Sequence, residues 1–315
     1  MTRAFIFPGQ GSQAVGMGLG LAEAFAPARE VFQEVDDALN QKLSRLMWEG
    51  PESDLVLTEN AQPAIMAASL AILRVMQKDA GLDIARHARL VAGHSLGEYT
   101  ALCAAGAFSL ADAARLLKAR GRAMQTAVPV GQGGMSALLG AEIAQAEDLA
   151  KECAAASGGV CVVANDNAPG QVVISGSKAA IDRAPDLAKA KGIKRAMALN
   201  VSAPFHCPLM QPAADKMAEA LAAVTIRPLA VPVVSNVTAA ETAEPETIRR
   251  LLVEQVTGRV RWRESVLAFR GYGITATVEI GGNKVLTGMV KRIDRDLATV
   301  TLDTPADIEA FVRTL

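Results

Sequence analysis

The 315-residue sequence has few cysteines and no pattern that would give them a structural role. Its four cysteines, Cys103, Cys153, Cys161 and Cys207, show neither the spacing of a metal site nor a disulfide framework. A secreted fold held by disulfides and a structural metal centre are therefore not expected. We expect a protein of the reducing cytoplasm that uses no metal.

An excess of one charge and a long apolar run are also missing. The net charge is −1, so the composition gives no basic footprint that would favour nucleic acid. The most apolar stretch, residues 64–76, is too short to span a bilayer. The sequence opens on a strand candidate, Arg3–Phe7, without a signal-peptide pattern. We expect neither a nucleic-acid partner nor membrane insertion.

A G-x-S-x-G motif at Gly93–Gly97 is the most informative feature of the sequence. It follows a short apolar strand candidate and precedes an alanine-rich helix candidate, residues 98–107. A sharp strand-to-helix turn of this kind exposes a serine hydroxyl at a helix N-terminus, where negative charge is favoured. Ser95 is therefore a candidate nucleophile. The alternative is a glycine-bounded loop whose serine only caps the helix.

Only three histidines are available to activate that serine. His87 lies in a charged stretch that is typical of a solvated loop. His94 directly precedes Ser95, and neighbours on an extended chain point to opposite sides. His206 lies in a loop between two prolines, and elimination makes it the favoured general base. A structural role for a lone histidine is the alternative.

Helix and strand patterns alternate along the chain, which predicts an α/β fold. Residues 128–199 have the order β-α-β-β-α-β, which is typical of a ferredoxin-like unit, with a turn predicted over residues 165–170. We expect this small domain to be inserted, through a glycine-rich hinge at Gly131–Gly134, into a large α/β-hydrolase-like domain of residues 1–127 and 200–315. The cleft between the two domains would hold Ser95 and His206.

The predicted helix over residues 110–126 carries several basic side chains. Arg115, Lys118 and Arg122 fall opposite its apolar stripe, as solvent-exposed charges do. Arg120 lies at the flank of the stripe. It either extends along the surface to reach water, or directs its guanidinium into the cleft, where the planar fork suits a carboxylate.

The loop after the first strand, Pro8–Gln13, fits a dinucleotide-binding fingerprint poorly. A proline ends the strand, and further glycines crowd the place where a phosphate-binding helix would begin. A loop at a strand end is better placed to offer a backbone N–H beside the serine. Together with the N–H of Leu96 it would form an oxyanion hole.

Several motifs resemble those of the malonyl-CoA:acyl carrier protein transacylase family of bacterial fatty acid synthesis, and the resemblance covers nearly the whole chain. They are Phe-Pro-Gly-Gln-Gly-Ser-Gln at 7–13, Ala-Gly-His-Ser-Leu-Gly-Glu-Tyr at 92–99, Ala-Arg-Gly at 119–121, Asn-Ala-Pro-Gly-Gln-Val-Val at 167–173, Ser-Ala-Pro-Phe-His at 202–206, Pro-Val-Val-Ser-Asn at 232–236 and Lys-Val-Leu-Thr-Gly at 284–288. Two places depart from the family: residues 281–283 read Gly-Gly-Asn instead of Gly-Pro-Gly, and residues 256–258 read Val-Thr-Gly instead of Tyr-Asn-Pro.

The resemblance implies a role for each candidate residue. Ser95 would carry the malonyl group as an ester, His206 would be the base, and Arg120 would hold the malonyl carboxylate. Gln10 and Leu96 would supply the oxyanion N–H groups.

The resemblance also implies roles for two residues beside the base. The backbone carbonyl of Gln255 would orient His206, and Phe205 would oppose a methyl branch on the substrate. A carbonyl in this role suits the sequence, because the acids between the serine and the histidine are poor third members of a triad. Three of them fall on predicted helices, and Asp166 is the loop acid with a plausible route to the cleft; the helical ones are Asp148, Asp182 and Asp186.

The expected reaction is a two-step exchange that needs no cofactor. Ser95 takes the malonyl group from malonyl-CoA, and the phosphopantetheine thiol of an acyl carrier protein then takes it from Ser95. We expect the enzyme to act as a monomer. An α/β-hydrolase-type serine thioesterase or esterase, with water as acceptor, and a non-catalytic scaffold that binds carrier protein are the alternatives.

Carrier proteins of this kind are typically acidic, so clustered basic residues are candidate docking points. An ordinary scattered basic surface is the alternative explanation. The candidates are Lys189, Lys191, Lys194, Arg195, Lys291 and Arg292.

Overall fold

The computed structural model describes residues 1–201 and 203–315, so Ser202, the first residue of the motif that ends at His206, lies outside the described residues. The strands are β1 (Arg3–Phe7), β2 (Leu90–Gly93), β3 (Gly133–Leu139), β4 (Cys161–Ala168), β5 (Gln171–Ser177), β6 (Arg195–Ala198), β7 (Val233–Val234), β8 (Glu241–Thr242), β9 (Ala276–Ile280) and β10 (Ala298–Leu302). The α-helices are α1 (Leu19–Ala24), α2 (Ala26–Leu39), α3 (Leu43–Glu49), α4 (Glu52–Leu55), α5 (Thr58–Asp79), α6 (Ile84–His87), α7 (Leu96–Ala104), α8 (Leu110–Thr126), α9 (Ile143–Ser157), α10 (Lys178–Ile181), α11 (Ala184–Ala190), α12 (Gln211–Ala222), α13 (Pro245–Thr257), α14 (Trp262–Ala268), α15 (Val285–Ile293) and α16 (Pro305–Val312). Short 3₁₀ turns span Pro208–Met210 and Phe269–Tyr272.

The first sheet is mixed, with the order β10-β9-β1-β2-β7-β8, and only β7 and β8 pair antiparallel within it. Its central strand β1 is apolar and buried from Ala4 to Phe7, as a strand covered on both faces must be. Because β1, β2 and β7 run in parallel, their carboxyl ends meet at one edge of the sheet. The loops that leave this edge, residues 8–13, 94–95 and 235–236, therefore lie side by side.

The long helix α5 forms the centre of one layer, where α2, α7 and α8 pack against it. It is buried along most of its length because its apolar residues are distributed around the whole helix. No helix in the described part of the chain is both long and apolar enough to cross a membrane. The packing of α8 on α5 matters for the site, because it brings the middle of α8 to the first turn of α5.

The second sheet is antiparallel, with the order β4-β5-β3-β6, and has its own apolar core with α9, α10 and α11. The second helical segment of the predicted β-α-β-β-α-β order is divided into two short helices, α10 and α11. The turn expected over residues 165–170 is wrong, because β4 continues to Ala168 and the chain reverses at Pro169 and Gly170. The strand continues because Asp166 N–H donates to the carbonyl of Val260, outside the sheet.

Candidate active site

Ser95 lies at the sharp turn between β2 and α7. Its backbone has φ 54° and ψ −112°, in the left-handed half of the map, where a non-glycine residue stores about 1–3 kcal/mol of strain. The flanking glycines allow this turn: a Cβ on Gly93 would lie 1.9 Å from the Gly97 carbonyl oxygen, and one on Gly97 would lie 2.3 Å from the carbonyl oxygen of Phe7. The strained turn presents the serine hydroxyl at the N-terminus of α7.

His206 lies beside this hydroxyl. Its Nε2 is 2.8 Å from Ser95 Oγ, and its Nδ1 is 2.8 Å from the carbonyl oxygen of Gln255. A carbonyl can only accept, so Nδ1 carries the proton and Nε2 is free to accept from the serine. Burial, with the nearby charge of Arg120, lowers the pKa of His206 to about 3. The imidazole is therefore neutral at physiological pH, as a general base must be.

The structure also decides between the acids considered for a third triad position. Asp166 is buried in β4 and pairs with Arg263, whose Nε donates to Oδ2 at 3.0 Å. The expected route of Asp166 to the cleft is therefore wrong, because its neighbours Asn165 and Asn167 line the cavity while Asp166 does not and pairs with Arg263 instead. The carbonyl of Gln255 occupies the position that a carboxylate takes in a triad.

Arg120 does not extend to the surface. Only 1% of the residue is exposed, and its guanidinium points at the serine, with Nη2 3.1 Å from Ser95 Oγ and 2.8 Å from Gln255 Oε1. Nη1 donates to Gln62 Oε1 at 2.9 Å, and the cation lies over the ring of Tyr99. The Nε–H finds no acceptor among the described residues. A buried cation that directs Nη2 at the serine is suited to bind an anionic group of a ligand there.

Lys118, one turn before Arg122 on α8, differs from the expectation of a solvent-exposed charge. It is buried, with its Nζ 2.9 Å from Glu59 Oε2 and 2.8 Å from Asn60 Oδ1. Arg115 is exposed, as expected. The difference arises because the first turn of α5 crosses α8 at this point and covers one of its charged positions.

Gln10 and Leu96, whose N–H groups are expected to form an oxyanion hole, both line a cavity of about 320 Å³. Neither the Gln10 N–H nor the Leu96 N–H donates to an acceptor within residues 1–201 and 203–315. Ser95 Oγ and His206 line the same cavity. Free backbone donors beside a serine hydroxyl are what a tetrahedral oxyanion requires.

Two polar residues that the sequence analysis missed hold the nucleophile turn. Asn236 accepts the Ser95 N–H at 2.7 Å through Oδ1 and donates to the Gly93 carbonyl at 2.7 Å. Glu98 accepts from the N–H of Asn236 at 3.1 Å and from Gln255 Nε2 at 2.8 Å, and burial raises its pKa to about 7. The available signal was position: Asn236 follows β7, whose carboxyl end lies next to that of β2.

The remaining wall of the cavity comes from the loop before His206 and from the second sheet. Phe205 lines it, as do Leu199 and Val201. His94 also reaches it, and its Nε2 lies 2.8 Å from Asn167 Oδ1 on β4, so this histidine is engaged away from the serine hydroxyl. The cavity is therefore bounded by both sheets.

The basic residues considered for docking fall into two groups. Lys291 and Arg292 are exposed on α15, whose Val285 and Met289 line the cavity. In the other group, Lys191 pairs with Glu152 at 2.6 Å. The rest of that group is exposed at the end of α11 and the start of β6: Lys189, Lys194 and Arg195.

Comparison with known proteins places the whole chain in one family. The model of the acyl transferase domain family matches residues 4–302. The malonyl CoA-acyl carrier protein transacylase of Bacillus subtilis (strain 168) is 45% identical over 312 residues, which cover 99% of this chain and 96% of that protein.

Solved structures agree with this. The acyl-carrier-protein-S-malonyltransferase of Bartonella henselae superposes with a TM-score of 0.97 at 52% identity and covers 100% of this chain and 99% of its own. A malonyl-transacylase solved in complex with its type II PKS acyl-carrier protein superposes with a TM-score of 0.95 at 42% identity, covering 100% of each chain. The chain belongs to the acyl transferase domain family and, within it, to the malonyl CoA-acyl carrier protein transacylases.

Proposed function

We propose that this chain moves a malonyl group from malonyl-CoA to the phosphopantetheine thiol of an acyl carrier protein, through a malonyl ester of Ser95. One observation carries the proposal. Ser95 Oγ lies 2.8 Å from an acceptor nitrogen of His206 and 3.1 Å from the guanidinium of Arg120, which is buried. A base and a buried cation thus converge on one hydroxyl, as transfer of an acyl group that carries its own carboxylate requires.

The first half-reaction acylates the serine. His206 Nε2 takes the Ser95 proton as Oγ attacks the thioester carbonyl, and the oxygen that becomes negative accepts from the N–H groups of Gln10 and Leu96. The imidazolium donates through Nδ1–H to the carbonyl of Gln255. When the intermediate collapses, the carbon–sulfur bond breaks, the coenzyme A sulfur receives the proton from Nε2, and malonyl-Ser95 remains.

The second half-reaction runs in reverse with a different thiol. His206 takes the proton of the carrier protein's phosphopantetheine thiol, and the sulfur attacks the carbonyl of the malonyl ester. Ser95 Oγ leaves and recovers its proton from the imidazolium. Both thiols end in the same pantetheine arm, so a single cavity serves both steps.

Two residues would select the acyl group. Arg120 would bind the malonyl carboxylate through Nη2, which the free protein offers to Ser95. Phe205, which lines the cavity directly before the base, would oppose a methyl branch at the α-carbon of the substrate. All of these groups come from one chain, and we propose that the enzyme acts as a monomer.

We further propose that the two sheets mark two domains, with boundaries at 1–127 and 200–315 for an α/β-hydrolase-like unit and 128–199 for a ferredoxin-like unit. The strand order β4-β5-β3-β6 supports this. A β-α-β-β-α-β chain takes this order when both of its helical connections pack on one face of the sheet. The cavity lined by residues of both units would be the interdomain cleft.

Mass spectrometry of the intact protein after mixing with malonyl-CoA tests the function. We expect a malonyl adduct that maps to Ser95, is absent in Ser95→Ala, and disappears when carrier protein bearing phosphopantetheine is added. Release of free malonate without any need for carrier protein would favour the hydrolase alternative. A chain that forms no adduct would contradict the proposal and favour a scaffold.

A further inference from the structure

The first turn of α5 joins the two ends of the site through an unbroken series of hydrogen bonds. Arg120 Nη1 is 2.9 Å from Gln62 Oε1, and Gln62 Nε2 is 2.9 Å from Thr58 Oγ1. Thr58 Oγ1 is in turn 2.9 Å from Gln10 Oε1. The series therefore begins at the cation next to the serine and ends at the loop that carries the Gln10 N–H.

The direction of every bond in this series is fixed by the arginine. A guanidinium has donors only, so it requires the oxygen of the Gln62 amide to face it. The Gln62 NH₂ group must then donate to Thr58 Oγ1, and the Thr58 hydroxyl hydrogen is left to donate to Gln10 Oε1. Bonds aligned in one direction polarise and strengthen one another in a buried site.

The helix turn that carries these side chains is held firmly. Thr58 and Gln62 are buried, and α8 approaches so closely that a Cβ on Gly121 would lie 2.4 Å from the Cα of Glu59. Gln10, by contrast, lies in the loop after β1, where Gly9 packs on the His94 carbonyl but Gly11, at φ 102°, has open space around it. The well-packed helix turn therefore holds the side chain of Gln10 through the hydrogen bond from Thr58.

We propose that Thr58 and Gln62 are positioning residues that set the oxyanion-hole loop at a fixed distance from the carboxylate-binding guanidinium. The inference rests on the proposed function and deepens it. When Arg120 binds the carboxylate of a short diacid thioester, the thioester carbonyl oxygen would then lie at the Gln10 N–H. The carboxylate would therefore contribute to the rate of acylation as well as to binding.

Thr58→Val tests the inference because it removes the hydroxyl and keeps the shape. We expect kcat for acylation of Ser95 by malonyl-CoA to fall by about 10- to 100-fold, with KM changed by less than about twofold, because Arg120 keeps its other contacts. Thr58→Ser restores the hydroxyl and should return the rate to within about threefold of the unmodified chain. Thr277→Val is the matched control, since it removes a buried threonine hydroxyl that has no hydrogen-bond partner among the described residues.

A second variant keeps the test independent of folding. Gln10→Met removes the acceptor at the far end of the series from a half-buried side chain and leaves the backbone N–H in place. It should reproduce the loss seen in Thr58→Val, and the double variant should lose no more than either single one, because both break the same link.

Three results would overturn the inference: Thr58→Val with an unchanged kcat, whether or not KM changes; Thr58→Ser as impaired as Thr58→Val; or additive losses in the double variant. The unmodified chain, measured in parallel, tests the proposed function separately, because the inference concerns only the ratio of variant to unmodified rates.

Discussion

At the scale of single residues, Arg120 is the group whose removal should change the choice of substrate. Arg120→Ala deletes the buried cation opposite the serine, so the carboxylate of malonyl-CoA would enter an unpaired site. We expect kcat/KM for malonyl-CoA to fall by about 100-fold, while acetyl-CoA, which has no carboxylate, loses little or gains. The ratio of the two values of kcat/KM, measured by adduct formation on Ser95, checks this.

Arg115→Ala is the matched control for that experiment, because it removes an exposed arginine from the same helix. Its ratio of malonyl to acetyl transfer should equal that of the unmodified chain. An Arg120→Ala protein that still uses malonyl-CoA at the unmodified rate would contradict the role assigned to the guanidinium.

Two buried titratable residues of the site give stability opposite dependences on pH. His206 has its pKa lowered from 6.5 to about 3 by burial and by Arg120, so between these values the unfolded chain binds the extra proton and stability falls as pH falls. Burial raises the pKa of Glu98 from 4.5 to about 7, so the folded chain binds the extra proton and stability falls as pH rises. Between pH 4.5 and 6.5 the two contributions cancel.

Glu98→Gln should therefore expose the contribution of His206. From pH 6.5 down to 4.5 the free energy of unfolding of the variant should fall by about 1.4 kcal/mol per pH unit more than that of the unmodified chain. Urea unfolding at several pH values measures this difference, in which the contribution of His94 cancels. His206→Asn should show the reverse dependence, and parallel pH curves for all three proteins would disprove the argument.

Residue chemistry alone pointed to Ser95 and His206, which are in contact in the site. A serine in a strand-to-helix turn and the one histidine in a proline-bounded loop are rare enough that the sequence points to them. No role in the site was predicted for Gln62 or Asn236, because an amide side chain has no distinctive sequence pattern. Only tertiary packing brings them to Arg120 and Ser95. A glutamine inside a long apolar helix, directly before a proline, was the available signal for Gln62.

At the scale of helices, the crossing of α8 over the first turn of α5 depends on Gly121. Gly121→Ala places a Cβ 2.4 Å from the Cα of Glu59 and 2.7 Å from the carbonyl oxygen of Thr58, and backbone cannot yield as a side chain can. We expect a loss of about 1–3 kcal/mol in the free energy of unfolding, measured in urea. Acylation should slow as well, because the first turn of α5, whose Thr58 donates to Gln10, would shift.

Gly288→Ala makes the same chemical change inside another helix, α15, where an added Cβ meets nothing within 4 Å. Alanine favours helix over glycine, so this variant should gain about 0.5–1 kcal/mol. If both variants lost stability equally, close packing at Gly121 would not be the cause.

Elements were predicted well where periodicity is strong and poorly where tertiary contacts override local preference. The strand predicted at Arg3–Phe7 lies where its apolar pattern places it. Residues 165–168 read as a turn because asparagine and aspartate favour turns, yet Asn165 bridges to Val260 and the strand continues. At Gly282, φ is +88°, a conformation closed to the proline that the family has there.

At the scale of the whole molecule, the site exists because two sheets face one cavity. The carboxyl ends of β1, β2 and β7 supply the loops of Gln10, Ser95 and Asn236, and β4 and the chain after β6 close the opposite side. The alternation of strands and helices predicted the α/β fold. The relative placement of the two sheets depends on side-chain contacts such as His94 with Asn167, which no local pattern encodes.

The same geometry favours α15 over the start of β6 as the place where an acidic carrier protein would dock. Val285, Met289 and Arg292 are spaced four and three residues apart, so they share one face of α15, and the first two line the cavity. Arg195, the first residue of β6, pairs with Leu139 at the end of β3. The other end of β3 begins at Gly133, which packs on Pro204 beside the base, so Arg195 lies at the end of the strand away from the base.

Arg292→Glu should therefore slow transfer from malonyl-Ser95 to the carrier protein by about 10-fold at low salt, with a difference that narrows as salt screens the charge. Acylation by malonyl-CoA, measured separately, should be spared. Arg195→Glu makes the same change in charge on an exposed residue that does not line the cavity and should leave both steps unchanged. Equal losses in the two half-reactions of Arg292→Glu would show that this residue acts on the pantetheine arm or the serine, and would remove α15 as a docking surface.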